Sequence, residues 1–280
     1  MEEKKPTFEV LISAMHQKDF SIAERTKIKG NVLIINQCDE NSYSEKQTEN
    51  GLWRMISTTE RGLSKSRNLA IKNTIGDIVL LCDDDETLEE NYEEIILNAY
   101  KELPNASCVI FNVNRINYKM KKTYYKIKKV RKAPKYRGYG AVMTTFRVGD
   151  IKNKNISFSE RFGSGTEWGG GEDILFQDDI RKNKLKMYEY PTTIATIDYS
   201  NGSNWFHGYT KQYFYNQGAF NEYKYKKNFI LKYLRTIYTC YKLRREKDLS
   251  PFEKIKWMRL GMKGIKNNVT YKEYVKKYGE

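Results

Sequence analysis

"GDIVLLCDDDE", residues 76–86, runs from a short apolar stretch straight into three aspartates and a glutamate. An apolar run of this length, opened by glycine, reads as a strand buried on both faces. Four adjacent acids repel one another, so their company at a strand end calls for a counter-charge. A divalent metal held by hard oxygen ligands is the natural one. In an extended segment alternate side chains share a side, which would put Asp83 and Asp85 together and Asp84 opposite. The competing reading is an acidic turn that caps a following helix, with Glu86 and Glu89 at its positive end.

Similar runs flank this one. "FEVLIS" (residues 8–13), "NVLIIN" (31–36) and "SCVIFNV" (107–113) are rich in Val, Ile and Leu without strict alternation. Between them lie polar helical stretches. "LSKSRNLAIKNTIGD" offers Ser64 as N-cap and Gly76 as a stop, and "TLEENYEEIILNAYKELP" opens at Thr87 and ends before Pro104. Strand and helix alternating over about the first 115 residues predict an α/β fold with a mostly parallel central sheet, whose ligand site lies at the carboxyl ends of the strands. The acids of residues 83–86 sit at one such end. Farther on, "AVMTTFRV" reads as a strand, and "FGSGTEWGGGEDILFQDDIRKNK" as a glycine-rich loop running into a helix.

Composition narrows the class. The chain of 280 residues is 39% hydrophobic and 14% aromatic, enough for a sizeable core. Its four cysteines are far apart and form no CxxC pair, which predicts reduced thiols in a cytosolic compartment rather than a zinc ribbon or a disulfide framework. "MEEKKPTFEV" has no apolar core after its charges, so no secretory leader is expected. No apolar run approaches the length of about 20 residues that spans a bilayer. The net charge of +15 is unevenly placed: residues 118–137 hold 10 Lys and Arg and no acid, and residues 208–280 hold 18 against 6 acids. An acidic body with a basic insert and a basic tail suits nucleic acid, a membrane surface or phosphate-bearing substrates. The composition shifts near Asn221, which divides a catalytic domain of residues 1–220 from a helical tail of residues 221–280. In that tail Ile230, Leu234, Ile237, Tyr238 and Tyr241 make one apolar stripe, and Phe252, Ile255, Met258, Met262 and Ile265 another.

The second chemical cluster is "EWGGGEDILF". Glycines before an acid pair let the backbone approach a ligand closely, and Asp173 at the start of a helix could reach a substrate proton or simply cap the helix. Together, "RGLSKSRNLAIKNTIGDIVLLCDDDE" and "ISFSERFGSGTEWGGGEDILF" resemble the two core motifs of family-2 glycosyltransferases, a Ser-Arg-Asn helix leading into a strand that ends in DxD, and a later Glu-Asp pair after a glycine-rich loop. "WGGGED" is also similar to the WGGED loop of animal galactosyltransferases of the GT-A fold. The resemblance spans roughly residues 8–220, a single-domain length.

That resemblance implies a GT-A (nucleotide-diphospho-sugar transferase) catalytic domain and an inverting, metal-dependent transferase. Asp83 and Asp84 would bind the donor, with Asp85 on a Mn²⁺ or Mg²⁺ ion bridging its phosphates and His207 as a further metal ligand. Asp173 would be the general base, Glu172 would position the acceptor and Trp168 would stack on a sugar face. Asp39 would bind the base and Arg67 would hold the nucleotide. The donor is expected to be a nucleotide sugar, a UDP-sugar, and the acceptor a glycan or lipid-linked glycan of bacterial cell-surface polysaccharide. The chain departs from the family where "INQCDENS" stands for the usual DDGS, and its first strand lacks the usual following Pro and Tyr-Asn.

Two rivals come from different classes. A nucleic-acid binder would explain the charge and the tyrosines among the lysines, yet the clustered acids would repel phosphate. A sugar nucleotidyltransferase would want a glycine-rich phosphate loop after the first strand, and "LISAMHQKDF" has no glycine. An inactive relative kept as a scaffold is also compatible with these residues. The basic tail is expected either to lie on anionic lipid at the cytoplasmic face of the membrane or to pack its stripes on protein.

Overall fold

The computed structural model describes residues 5–117, 125–200, 208–246 and 248–279. They form two compact units. Unit 1 contains residues up to 160 and from 172 to 200, and unit 2 contains residues 161–171 and the chain from 208 onward.

Unit 1 is built on a ten-stranded sheet. The Val/Ile/Leu runs become β1 (Phe8–Met15) and β2 (Asn31–Gln37), separated by the short helix α1 (Ser21–Arg25). Then come the hairpin strands β3 (Ser42–Gln47) and β4 (Leu52–Thr58), helix α2 (Leu63–Asn73) and strand β5 (Ile78–Asp83). The four central strands run parallel in the order β4-β2-β1-β5, with the side chains of Val10, Ile12, Val32, Ile34, Val79 and Leu81 sealed from solvent on both faces.

Beyond β5 the sheet becomes mixed. A short β6 (Glu86–Leu88) leads to α3 (Tyr92–Glu102), β7 (Cys108–Ile116), β8 (Arg131–Lys132) and β9 (Thr144–Arg147), and β9 inserts antiparallel between β5 and β7. Helices α4 (Val148–Asn153) and α5 (Glu172–Lys182) follow, then β10 (Met187–Asp198), which runs parallel to β7 and antiparallel to β6 and β8.

Several expectations shift at this level. The helix expected to open at Thr87 opens at Tyr92, because residues 86–88 pair with β10 instead; the acids in its first turn are Glu93 and Glu94, not Glu86 and Glu89. Helix α2 is preceded by Gly62 at φ 121°, so Ser64 lies inside it rather than capping it. β10 keeps Pro191 within its span and accommodates it by a register shift between Glu189 and Thr193.

A buried carboxylate ties α2 to the sheet. Glu9 of β1 accepts from Arg54 Nη2 of β4 at 2.7 Å, from Thr74 Oγ1 at 2.6 Å and from the Ile75 amide at 3.0 Å. Three donors from two elements compensate the burial of its charge.

Unit 2 is helical. α6 (Lys211–Lys224), α7 (Phe229–Lys242), α8 (Pro251–Asn267) and α9 (Tyr271–Tyr278) start at Thr210, Asn228, Ser250 and Thr270, whose side chains each accept an amide of the first turn. The boundary expected at residue 220 falls inside α6. That helix belongs with the C-terminal ones because Gly218 and Gly261 let α6 and α8 approach backbone to backbone: a Cβ on Gly218 would collide with the Met258 carbonyl, and one on Gly261 with that of Tyr215.

Candidate active site

Strand β5 ends at Asp83, and residues 84–85 form a tight turn before β6. The turn replaces the extended alternation expected for the three aspartates, so they do not sort onto opposite faces. Glu86 makes the turn: its buried carboxylate accepts from the Asp83 amide at 2.8 Å. Among the described residues its Oε1 is buried without a hydrogen-bond partner, and desolvation followed by the nearby Asp83 charge raises its pKa well above the usual carboxylate range.

Arg67 lies at the centre of the site. Helix α2 turns Ser64, Ser66 and Ala70 inward, and these small side chains keep it near the sheet, with Ser66 Oγ donating to Ser13 Oγ of β1 at 2.8 Å. Arg67 is thereby held at 3% exposure. Its Nη2 donates to Asp83 Oδ1 at 3.1 Å, and its Nη1 to Asp173 Oδ1 at 2.8 Å and Glu172 Oε1 at 3.2 Å. Burial alone would favour a neutral guanidine, but Asp173, Asp83 and Glu172 together outweigh it and bind the proton more firmly than usual. The two acidic motifs thus meet on one cation.

Helix α5 carries Glu172 and Asp173 in its first turn and is fixed from below. Phe176, one turn on, stacks on Phe158 with ring centroids 4.1 Å apart, and Phe158 in turn lies 5.4 Å beneath the Arg67 guanidinium. Gln177 exchanges two hydrogen bonds with the backbone of Tyr139, at 3.0 and 2.8 Å. That segment continues to Ala141, whose amide donates to Asp173 Oδ2 at 3.0 Å. Desolvation and the adjacent Glu172 push the Asp173 pKa up to about 7, against the opposing pull of Arg67. A half-buried carboxylate with such a pKa is poised to take up a proton near neutrality.

Asp84 and Asp85 stay exposed at the mouth of the site, and no described residue forms an ion pair with either. Partial desolvation, then the charges of Asp83 and Asp84, raise Asp85 to about 6, while desolvation and the charge of Asp83 raise Asp84 against the pull of Arg25. Crowded, exposed oxygen donors have the chemistry of a hard divalent ion's ligands. Among the described residues they do not close into a set of three or more converging metal ligands.

The remaining expected residues fall as follows. Asp39 lies past β2 at the same end of the sheet, exposed and paired to Arg61 at 2.7 Å, while Arg61 also donates to the carbonyls of Cys38, Thr58 and Thr59. Arg67, expected on the nucleotide, has both terminal nitrogens on carboxylates. His207 lies outside the described residues. Trp168 belongs to unit 2 and is buried, its ring parallel to Tyr215 at 6.2 Å with Arg161 over its face at 5.6 Å. The backbone freedom of Gly171, φ 122°, serves protein packing, because a Cβ there would strike the Phe220 ring. Sequence reasoning passed over Arg61, Tyr139, Phe158, Phe176 and Gln177. The spacing of Phe176 and Gln177, one helical turn after the Glu-Asp pair, is the signal that could have found two of them.

Solved structures share this architecture. S. aureus TarS 1–349 in complex with UDP-GlcNAc superposes with TM-score 0.59 at 14% identity, over 96% of this chain and 77% of that one. Its UDP complex gives 0.54 at 12%, over 97% and 78%. A longer S. aureus TarS chain gives 0.55 at 14% over 87% of this chain, which spans 44% of that relative's length. At such identities the likeness is one of fold, the mixed α/β GT-A architecture. Comparison with curated proteins finds no match. Residues 7–162, more than half of the sequence, match the model of Glycosyl transferase family 2, and the chain belongs to that family.

Proposed function

We propose that the chain is an inverting glycosyltransferase that moves a sugar from a nucleoside-diphosphate donor to a hydroxyl of a glycan or lipid-linked glycan in cell-surface polysaccharide assembly. The observation that carries this reading is the single buried Arg67 joining Asp83 to Glu172 and Asp173. A UDP-sugar is the preferred donor, since the fold relative TarS was solved with UDP-GlcNAc and with UDP.

Asp173 would accept the proton of the incoming hydroxyl. The acceptor oxygen bonds to the anomeric carbon as the bond from that carbon to the diphosphate oxygen breaks, and the nucleoside diphosphate leaves with the electron pair. One displacement of this kind inverts the centre, turning an α-linked donor into a β-linked product. Glu172 would orient the acceptor, Arg67 would hold both acids in place, and Asp39 with Arg61 would border the nucleobase. Asp83 and Asp84 would receive the donor, with Asp85 and, by family resemblance, His207 as ligands of a Mn²⁺ or Mg²⁺ ion. When bound, that ion supplies positive charge for the departing diphosphate.

Calorimetry with UDP, GDP, CDP and dTDP, with and without Mn²⁺, tests the reading beside a single-stranded oligonucleotide. UDP is expected to bind in the presence of the metal. Binding of the oligonucleotide with none of the diphosphates would replace the transferase by a nucleic-acid binder.

A further inference from the structure

Helix α7 in unit 2 is amphipathic in the inverted sense. Its inward face is polar or small: Lys232, Thr236 and Cys240 are buried. Lys232 Nζ donates to the buried Glu222 of α6 at 2.6 Å, and Thr236 Oγ1 accepts from Asn221 at 3.4 Å. From α8, the buried Lys254 donates to the carbonyls of Leu243 and Glu246 at 2.9 and 2.6 Å, capping the end of α7. These bonds lock the rotation of the helix.

The opposite face therefore meets solvent with the large apolar side chains. Ile230, Leu234, Ile237, Tyr238 and Tyr241 are 52% to 71% exposed. Their spacing places them on one stripe of a helix about 21 Å long. The two stripes of the tail thus differ. In α8, Met258, Met262 and Ile265 are buried and the stripe packs on protein, apart from Phe252, which is exposed.

Charge identifies what covers α7. Between Tyr223 and Arg245 the sequence holds no acid. Lys226, Lys227, Lys242, Arg244 and Arg245 are exposed at the two ends of the stripe. The guanidinium of Arg244 lies 4.2 Å over the Tyr241 ring, and that of Arg235 5.9 Å over Tyr238. A second copy of this face would bring like charges together. An anionic bilayer supplies apolar chains for the stripe and phosphates for its ends. No helix among the described residues is long and apolar enough to cross a membrane.

We infer that α7 is an interfacial anchor that lies in the surface of an anionic phospholipid bilayer, with the side chains of Ile230, Leu234, Ile237, Tyr238 and Tyr241 among the acyl chains and the flanking lysines and arginines at the headgroups. The inference is read from unit 2 and does not depend on the donor site, so nucleotide binding in solution reports on the transferase reading separately.

Cosedimentation of the full chain with vesicles of phosphatidylglycerol and phosphatidylcholine tests the anchor. Binding is expected to anionic vesicles, to weaken with salt, and to be absent with phosphatidylcholine alone. The variant Ile230→Ser/Leu234→Ser/Ile237→Ser should lose about tenfold or more in affinity, and Lys226→Glu/Lys227→Glu about as much. Both alter exposed positions, and circular dichroism checks that they fold. Unchanged vesicle binding by the serine variant, equal binding to neutral vesicles, or no vesicle binding at all would overturn the anchor. So would a wild-type oligomer, seen by analytical ultracentrifugation, that the serine variant dissociates without any vesicle binding; the stripe would then be a protein interface.

Discussion

The Arg67 network in unit 1 and helix α7 in unit 2 handle charge in opposite ways. Around Arg67 a cation is buried against three carboxylates, one of which is left with a pKa of about 7. On α7 the buried ion pair of Lys232 with Glu222, together with the bonds of Thr236 and Lys254, holds the helix so that its apolar side chains stay outside. In the first region desolvated charge is concentrated around the proposed base. In the second it sets the orientation of an element, and the apolar surface is left for something else to cover. A buried ion pair is weak evidence for stability in itself, and in both places its geometric consequence is more informative.

The largest effect should come from Asp173. Asp173→Asn keeps the shape of the site and removes the base, so transfer should fall by about 10²–10⁴ while UDP binding stays near normal. In the wild type, kcat/KM should rise with pH through about 7 as Asp173 loses its proton. The sign for stability is the reverse. A carboxyl raised in the folded state binds more protons than the unfolded chain, so its contribution to stability fades as pH climbs from the ordinary aspartate range through about 7. Near-normal turnover of Asp173→Asn, or a flat pH profile, would leave the Arg67 network a structural brace only.

Next is Arg67→Ala, which strands carboxylates in a desolvated pocket and should cost about 3–5 kcal/mol in urea unfolding. Arg67→Lys should recover part of that loss without restoring both branches of the fork. The smallest effect is expected on α7, where Leu234→Ser removes an exposed side chain and should change stability by no more than about 0.5 kcal/mol. A loss at Leu234 as large as that at Arg67 would mean that the stripe is covered by protein in solution, and the contrast between the two regions would collapse.

Much of this was readable from the residues. The uninterrupted Val/Ile/Leu runs fell on β1, β2, β5 and β7, because a strand buried on both faces needs that composition. The hairpin strand β3 left no such trace, since "SYSEKQ" is exposed throughout and is a strand only through its pairing with β4. β10 was hidden by Pro191 and by its mixed composition. At the site, the motif spacing pointed to Asp83, Glu172 and Asp173, whereas Phe158, Tyr139 and the Ala141 amide, which brace Asp173 and its helix, come from segments that nothing local connects.

The pattern of apolar side chains along the chain was enough to establish an α/β sheet, the place of the acids at a strand end and the membership of two stripes in the basic tail, because periodicity follows from backbone geometry alone. Which way each stripe faces is a property of the folded unit. Periodicity says which residues share a side of a helix and nothing about what lies opposite. α8 turned its stripe inward where Gly218 and Gly261 allowed close backbone contact with α6, and α7 turned its stripe outward because Lys232 found Glu222. Likewise, that Arg67 would grip acids from both motifs rather than a nucleotide depended on α2 and α5 converging over the carboxyl end of β5, a meeting of segments that sequence spacing cannot measure.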